Sequence, residues 1–381
     1  MDLARFRANA SGRLIPTIQE AVAFVPAPLP PNIDVAPLFQ VFGEAMAGIG
    51  MLNAKIAQLP NPQLIIRPLQ RREALLSSAM EGTYTTSDEL VLLEAGAENL
   101  ARQDTREVRN YITALHHAVD LMETLPICHR LIKETHRELL SDVSYGRGGN
   151  KRPGEYKQDQ NWIGGPSPMT ARFVPPPPAE ALASMDQMEA FINRADPSNV
   201  HPLLEAAIVH YQFETIHPFA DGNGRVGRIL IPLLLLSRNM ISSPVFYPSA
   251  SLERRKNEYI DRMFAVSAES AWTEWLHFFL EVCRDTCMTT TDVIDRLLAI
   301  QTEYIERAVR DFRSNNVIVL INQLFSTPVV TTSKVMDILH VTRRSARMSI
   351  ASLEKIGVLE KVPGPTNPEL FIAHEVLRAG S

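Results

Sequence analysis

Hydrophobic and polar residues follow a helical rhythm over most of the chain. From about residue 36 to 140, and again from about 179 to 310, apolar residues recur every three or four positions, as in APLFQVFGEAMAGIGMLNAKIAQL. Residues 1–35 are rich in proline, and residues 144–178 are rich in glycine and proline, so neither stretch suits a long helix. The pattern predicts a mainly α-helical protein whose first 35 residues wrap irregularly over a surface.

The interruption at 144–178 contains two short segments with aromatic or apolar residues, GEYKQ and NWIGG. Two such segments separated by a few polar residues can pair as a β-hairpin. We therefore expect one small hairpin in the middle of the helical chain.

The last part of the chain has shorter elements. Three helical segments, NNVIVLINQLF, TTSKVMDILH and TRRSARMSIASLEKIG, precede two strand-like stretches in VLEKVPGPTNPELFIA. Three helices followed by a hairpin make a winged helix, preceded here by a linker at 311–316. The sequence predicts three regions: an N-terminal helical region at 1–110, a central helical domain at 111–300 and a winged-helix domain at 312–381.

Composition narrows the class of protein. The 381 residues are 45% hydrophobic and 21% charged, which is ordinary for a globular chain. The net charge of -5 predicts no general attraction to nucleic acid or anionic membranes. The three cysteines form neither a disulfide framework nor a zinc pattern, which favours a reducing compartment. No signal peptide is recognisable, and the longest apolar run, ILIPLLLL, is too short to span a bilayer, so we expect a cytoplasmic protein without membrane contact.

The C-terminal region has its own charge balance. Between Val317 and Lys361 six basic residues stand against three acidic ones. Arg343, Arg344 and Arg347 lie at the start of the third helix, where helix-turn-helix proteins contact DNA. Protein contact or dimer packing by the same domain is an equal alternative.

The string HPFADGNGRVGR, residues 217–228, concentrates polar chemistry between two apolar segments. It forms a loop that leads into the next helix, whose first backbone N–H groups favour an anion. Gly222 and Gly224 let the backbone approach a bound group closely. Arg225 and Arg228 are three residues apart and share one helix face. This combination predicts a polyphosphate site.

Two more residues of the string add reactive chemistry. Asp221 beside phosphates suits Mg²⁺, which proteins hold through one or two oxygens plus phosphate oxygens. His217 is the titratable group of the loop that can take a proton near neutral pH. The set supports attack by a hydroxyl on a nucleotide phosphate.

The string resembles the Fic-family signature, His-x-Phe-x-(Asp/Glu)-Gly-Asn-Gly-Arg-x-x-Arg, and matches it at every specified position. The resemblance implies a helical Fic fold and transfer of AMP from ATP to a Ser, Thr or Tyr hydroxyl of a protein. It implies His217 as general base and Asp221 as Mg²⁺ ligand, and it favours nucleotidyl over phosphate transfer because Gly224 replaces a lysine. The resemblance also implies that Gly222, Asn223 and Gly224 form an anion hole. It implies that Arg225 and Arg228 bind the triphosphate.

Two other segments resemble parts of Fic proteins. SSAMEGTYTT resembles the inhibitory motif, with Ser77, Glu81 and Gly82 at its specified positions, and implies that Glu81 reaches Arg228 and misplaces ATP. Its place before the core indicates the subclass with an N-terminal inhibitory helix. GEYKQDQNWIGG resembles the flap that aligns a target backbone, and Ile163 would lie over the target side chain. The flap residues are Asn161, Trp162, Ile163 and Gly164, and Lys157 is expected to be solvated.

The predicted function is that of an autoinhibited protein adenylyltransferase, and several alternatives stay open. The Fic part could instead sense nucleotide for a DNA-binding regulator, or the same site could remove AMP. UTP, GTP or CDP-choline could replace ATP. The target protein is unknown, and we also expect a homodimer. Candidate self-modification sites are Tyr84, Tyr145 and Tyr156.

Other aromatic and histidine residues are expected to be structural. Trp272 and Trp275 should lie in the core or in a dimer contact. Four histidines outside the motif should lie on the surface or pack against neighbours: His116, His117, His129 and His136.

Overall fold

The computed structural model describes residues 1–6, 10–59, 61–98, 101–143, 152–312, 314–364 and 368–380. Tertiary contacts divide the chain into two compact units, each assembled from separate segments. The first unit comprises residues 1–50, 76–83 and 110–287, and the second comprises residues 51–75, 84–109 and 288–381. The sequence-based boundaries near 110 and 300 stay predictions.

The mainly helical class is confirmed. The helices, in chain order, are α1 Phe39–Ala57, α2 Gln63–Met80, α3 Ser87–Glu94, α4 Gln103–Leu121, α5 His129–Leu139, α6 Pro178–Ile192, α7 Pro202–Ile216, α8 Asn223–Ser237, α9 Ser249–Arg254, α10 Lys256–Glu269, α11 Trp272–Asp311, α12 Asn315–Ser326, α13 Thr332–Leu339, α14 Arg343–Lys355 and α15 His374–Gly380. The strands are β1 Gly12–Pro16, β2 Val22–Pro26, β3 Val329–Thr331, β4 Glu360–Lys361 and β5 Leu370–Ile372.

The N-terminal residues correct one expectation. Residues 12–26 do not wrap irregularly but form an antiparallel hairpin of β1 and β2, paired from Gly12 with Pro26 to Pro16 with Val22. Phe24 in β2 is fully buried, and its backbone N–H donates to the carbonyl of Val174. Pro16 and Pro26 stand at strand ends, where a missing N–H costs the ladder little, so proline did not prevent strand formation.

Helices α7 and α8 form the centre of the first unit. Nearly every residue of α7 is buried, which is the pattern of a helix surrounded by protein on all sides. The apolar run in α8 is buried as well. Trp272 and Trp275 are buried in the same unit, so these two aromatic residues belong to the core. Cys283 and Cys287 are buried free thiols, as expected for packing cysteines.

The central hairpin has different partners from those expected. GEYKQ does not pair with NWIGG; instead Ile163 forms an antiparallel bridge with Phe173, and each backbone N–H donates to the other residue's carbonyl at 2.9 and 3.1 Å. The prediction failed because Lys157 and Asn161 bind the 216–219 backbone instead. We call residues 154–165 the flap segment.

The second unit ends in the predicted three helices and two strands. Helices α12, α13 and α14 are followed by β4 and β5, and β3 joins them in an antiparallel sheet of order β3-β5-β4. Residues 365–367, in the expected turn, lie outside the described residues. Helix α15 follows and was not predicted. The assignment of this region as a winged helix stays a prediction.

Within the described ranges, no helix combines the length and the apolar composition that crossing a bilayer requires.

Candidate functional site

The loop between α7 and α8 is shaped by two left-handed residues. His217 ends α7 with φ 48° and ψ 59°, and Gly222 precedes α8 with φ 75°. The side chain of Asn223, the first residue of α8, closes the loop, because it accepts from the Phe219 N–H at 2.8 Å and donates to the Phe219 carbonyl at 2.9 Å. The loop therefore directs its polar residues toward the first turn of α8.

The hydrogen bond of the His217 imidazole defines which of its two nitrogens carries the hydrogen. Its Nδ1 lies 3.2 Å from the carbonyl of Glu214, and a carbonyl can only accept, so Nδ1 carries the hydrogen and Nε2 keeps its lone pair. Burial, followed by the nearby charge of Lys157, lowers the pKa of His217 to about 4. The ring is therefore neutral near pH 7 and can accept a proton at Nε2.

The Asp221 carboxylate is exposed beside the start of α8 and can offer an oxygen to a metal ion. Its Oδ1 accepts from the Gly222 N–H at 2.6 Å, and the nearest Arg225 nitrogen is 4.0 Å away. Among the described residues, no three His, Cys, Asp or Glu side chains form a metal cluster. A single carboxylate beside an anion-binding turn fits Mg²⁺, which completes its shell with water and phosphate oxygens.

The guanidinium of Arg228 is the best-buried charge of the site. Its side chain is 2% exposed, and it donates from Nε to Ser77 Oγ at 2.8 Å and from Nη2 to the Ser77 carbonyl at 2.9 Å. Nη2 also donates to Glu81 Oε1 at 2.7 Å. Burial opposes the charge of Arg228, but Glu81 together with Tyr259 and Glu214 outweighs it and raises the pKa of Arg228. The expected pair of Glu81 and Arg228 is thus a short ion pair.

Glu81 lies directly over the start of α8. Helix α2 ends at Met80, whose carbonyl accepts from Lys256 Nζ at 2.6 Å, and Gly82 continues with φ 82°. A Cβ atom at Gly224 would overlap Glu81 Oε1, so the missing side chain leaves room for this carboxylate. Burial opposes ionisation of Glu81, but Arg228, with smaller contributions from Arg225 and His217, outweighs it and lowers the pKa of Glu81. The carboxylate occupies space that a bound anion would need.

Glu81, His217, Arg228 and Gly224 at the start of α8 line one cavity of about 200 Å³. Glu81, His217 and Arg228 form its polar side. The other side is apolar and includes Ile163, Ile260, Met263 and Phe264. The cavity suits a molecule with an anionic end and a flat apolar body.

Glu214 also lines this cavity, although it was not predicted as a site residue. Its Oε1 is buried without a hydrogen-bond partner in the described structure. Burial raises the pKa of Glu214 to about 7; Glu81 adds to the rise and Arg228 opposes it. The available signal was an acidic residue in the last turn of a helix whose residues are nearly all buried.

Lys157 was expected in solvent, and this expectation is wrong. The residue is 6% exposed, and its Nζ donates to Asn161 Oδ1 at 2.7 Å and to the Ile216 carbonyl at 3.3 Å. Burial lowers its pKa to about 7. The flap segment folds back onto the loop of His217, and this tertiary contact has no local sequence signal.

His136 packs as expected, but beneath the candidate site. Its Nδ1 accepts from the Gly154 N–H at 2.8 Å, which leaves Nε2 to donate to the Asp221 carbonyl at 3.0 Å. The ring stacks on Phe219 at 3.8 Å between centroids. His136 therefore connects α5, the flap segment and the loop, which its place in an amphipathic helix did not indicate.

The four predicted flap residues lie at different depths. The Trp162 side chain is partly exposed, and its Nε1 donates to the Gly165 carbonyl at 3.1 Å. Ile163 packs against Phe24, Phe173 and Phe264, and Gly164 has φ 67°. Asn161 faces inward onto the loop of His217.

Comparisons with known proteins match most of the first unit to one family. The Fic/DOC family model matches residues 126–235, and the Fic/DOC family N-terminal model matches residues 39–120. The chain is 28% identical over 188 residues to a protein adenylyltransferase Fic of Drosophila virilis, covering 48% of this chain and 35% of the relative. It is 33% identical over 139 residues to that of Drosophila yakuba, covering 36% and 24%. The chain thus matches about a third or less of these relatives' length.

Solved structures share the fold. A Fic family protein from Desulfovibrio desulfuricans G20 superposes with a TM-score of 0.56 at 19% identity, covering 91% of this chain and 98% of that one. Fic-1 from C. elegans gives a TM-score of 0.53 at 18% identity, covering 68% and 74%. At these identities the likeness concerns the fold alone.

Proposed function

Because the chain belongs to the Fic/DOC family, we propose that it is a protein adenylyltransferase, which transfers AMP from ATP to a Ser, Thr or Tyr hydroxyl of a protein. The observation that carries this proposal is the neutral imidazole of His217 in one cavity with Arg228 and the start of α8. A proton acceptor next to an anion-binding helix end suits attack by an alcohol on a phosphate. Drosophila relatives named protein adenylyltransferase Fic support the same reaction.

The proposed reaction uses each group of the loop once. His217 Nε2 takes the proton of the target hydroxyl, whose oxygen bonds to the α-phosphorus of ATP. The bond from the α-phosphorus to the bridging oxygen breaks, and pyrophosphate leaves with that electron pair. Arg225, Arg228 and the first N–H groups of α8 would stabilise the phosphate charge. Asp221 would hold Mg²⁺, which would offset further phosphate charge when bound.

We also propose that Glu81 inhibits this activity. Arg228 is the guanidinium best placed for the terminal phosphate of ATP, and Glu81 already accepts its hydrogen bond at 2.7 Å. The carboxylate and the phosphate are both anions that seek the same donor, so they compete for it. Removal of Glu81 should let ATP bind in the productive position.

Incubation with ATP and Mg²⁺ tests the proposal. ATP labelled at the α-phosphate should label wild-type protein weakly and Glu81→Gly more strongly, whereas Glu81→Gly combined with His217→Ala should stay unlabelled. ATP labelled at the γ-phosphate should label none of them, because the terminal phosphate leaves with pyrophosphate. Equal α-label on all variants, or label from the γ-phosphate, would exclude AMP transfer by this site. Unlabelled UTP, GTP and CDP-choline as competitors would identify the preferred nucleotide.

Self-modification is a further part of the proposal. Tyr84 is 64% exposed, whereas the Tyr156 hydroxyl lies 3.2 Å from His129 Nδ1 in a partly buried position. Tyr145 lies outside the described residues. We expect mass spectrometry of labelled Glu81→Gly protein to find AMP on Tyr84 rather than on Tyr156. Sedimentation equilibrium of the same sample would test the proposed homodimer.

DNA is a second candidate partner, consistent with the alternative of a nucleotide-sensing regulator. Arg343, Arg344 and Arg347 lie on α14, and together with Met348 they line one open groove. Exposed arginines on one helix can contact phosphates and base edges. Mobility shifts with random duplex DNA should weaken with salt and with Arg344→Ala. Binding that is unaffected by salt and by Arg344→Ala would contradict the proposal that α14 binds DNA.

A further inference from the structure

The flap segment holds the backbone around His217 with an unbroken row of hydrogen bonds. Lys157 Nζ donates to the carbonyl of Ile216 at 3.3 Å, and the Lys157 N–H donates to the carbonyl of Pro218 at 2.8 Å. Asn161 Nδ2 donates to the carbonyls of His217 and Phe219 at 3.1 and 2.9 Å. Four consecutive carbonyls, from 216 to 219, are thus bound by only two residues of the flap segment.

These carbonyls need such partners. They lie at the end of α7 and just beyond it, where the helix supplies no N–H donors for its last carbonyls. His217 itself has left-handed φ and ψ, which residues other than glycine rarely adopt without support from their surroundings. The two flap residues supply that support, and Lys157 Nζ also donates to Asn161 Oδ1 at 2.7 Å, which orients the amide.

We propose that Lys157 is a positioning residue for His217: it binds two of the loop carbonyls directly, orients Asn161 to bind the others, and brings its own charge close to the imidazole. This inference rests on the proposed function, in which His217 removes the proton of the target hydroxyl. Lys157 contacts neither the substrate phosphates nor the reacting hydroxyl in this assignment.

The charge of Lys157 acts in a definite direction. A cation near an imidazole disfavours the imidazolium, and after burial Lys157 is the strongest influence that lowers the pKa of His217. Among the other charged groups of the cavity, Glu81 raises the pKa of His217, and the remaining ones are Arg172, Glu214, Arg228 and Lys256. The pKa of Lys157 is about 7, so it is charged at the lower pH values where His217 would begin to protonate.

Two substitutions in the Glu81→Gly background separate geometry from charge. Lys157→Met keeps most of the side-chain length but removes the charge and two hydrogen bonds. We expect kcat for AMP transfer to fall about 10- to 100-fold, with KM for ATP changed less than about threefold, and the acid limb of the kcat profile to move to higher pH. Asn161→Ala should lower kcat similarly and leave the acid limb in place, because it removes no charge.

Controls make the test specific. Lys157→Arg keeps the charge and donors and should restore most of kcat and the original acid limb. Lys334→Met, an exposed lysine of α13, should behave like the parent. If the Glu81→Gly parent itself fails to transfer AMP, the proposed function fails. If the parent is active and Lys157→Met matches it in kcat, or lowers kcat without moving the acid limb, the inference about Lys157 is overturned.

A direct measurement of the His217 pKa tests the proposal even if Lys157→Met folds poorly. The imidazole signals of His217, assigned by their loss in His217→Gln, can be titrated by NMR in the parent and in Lys157→Gln, which retains an amide donor without a charge. The pKa of His217 should be higher in Lys157→Gln. An equal pKa in the two proteins would refute the electrostatic part of the proposal without any activity measurement.

Discussion

Replacing Glu81 with glutamine tests how much the buried Arg228 depends on its carboxylate partner. Glutamine keeps an oxygen that can accept from Nη2 but removes the negative charge. Removing one partner of a fully buried ion pair costs about 3–5 kcal/mol, whereas exposed pairs contribute about 0–1 kcal/mol. Arg228 is 2% exposed and Glu81 is 40% exposed, so water can partly replace the charge, and both Ser77 contacts remain. We expect the free energy of unfolding to fall by about 2 kcal/mol.

Urea unfolding followed by tryptophan fluorescence measures this loss. Trp272 and Trp275 are buried in the same unit as Glu81 and report its unfolding. With a urea dependence of about 3 kcal/mol/M, a loss of about 2 kcal/mol lowers the midpoint by about 0.7 M. Glu274→Gln, an exposed glutamate of α11, is the matched control and should leave the midpoint unchanged.

Added nucleotide should reverse the effect. In Glu81→Gln the phosphates can take the place of the carboxylate on Arg228, so ATP with Mg²⁺ should stabilise this variant more than wild type. An unchanged midpoint together with equal stabilisation by ATP would refute the reasoning, since it would mean that Arg228 needs no carboxylate and that Glu81 does not compete with phosphate.

Three further outcomes follow from the same unit. Asn223→Ala removes both hydrogen bonds to Phe219 and should lower the unfolding free energy by about 2 kcal/mol, with a matching loss of ATP binding by calorimetry. Gly227→Ala would push a Cβ into Glu214 Oε1 and should cost about 1–3 kcal/mol in denaturant unfolding; unchanged stability would mean that this carboxylate moves freely. Burial lowers the pKa of His210 to about 3, so the folded state keeps it neutral while the unfolded chain protonates it below about 6.5. The contribution of His210 to stability should fall by about 1.4 kcal/mol per pH unit between these two values, and His210→Gln should reduce the measured slope by that amount; an unchanged slope would contradict this account.

Local sequence patterns were sufficient where neighbouring residues decide the structure. Helical spacing located the helices from 36 to 140 and from 179 to 310. The string 217–228 predicted a loop that enters a helix, because its glycines, histidine and arginines act through backbone conformation and spacing within a few residues. Proline was over-interpreted at 12–26, where two prolines merely end the paired strands β1 and β2.

The sequence by itself therefore determined the helical class and the loop that leads into α8, and it supplied the candidate residues on which the proposed chemistry rests. Tertiary structure decided what surrounds that loop: Ser77 meets Arg228 across 151 positions, Lys157 meets Ile216 across 59, and His136 meets Asp221 across 85. Whether a polar side chain is buried, and which partner satisfies it, depends on segments far away in the chain. No short-range pattern encodes such a contact, because its free energy arises only when the distant segments pack together.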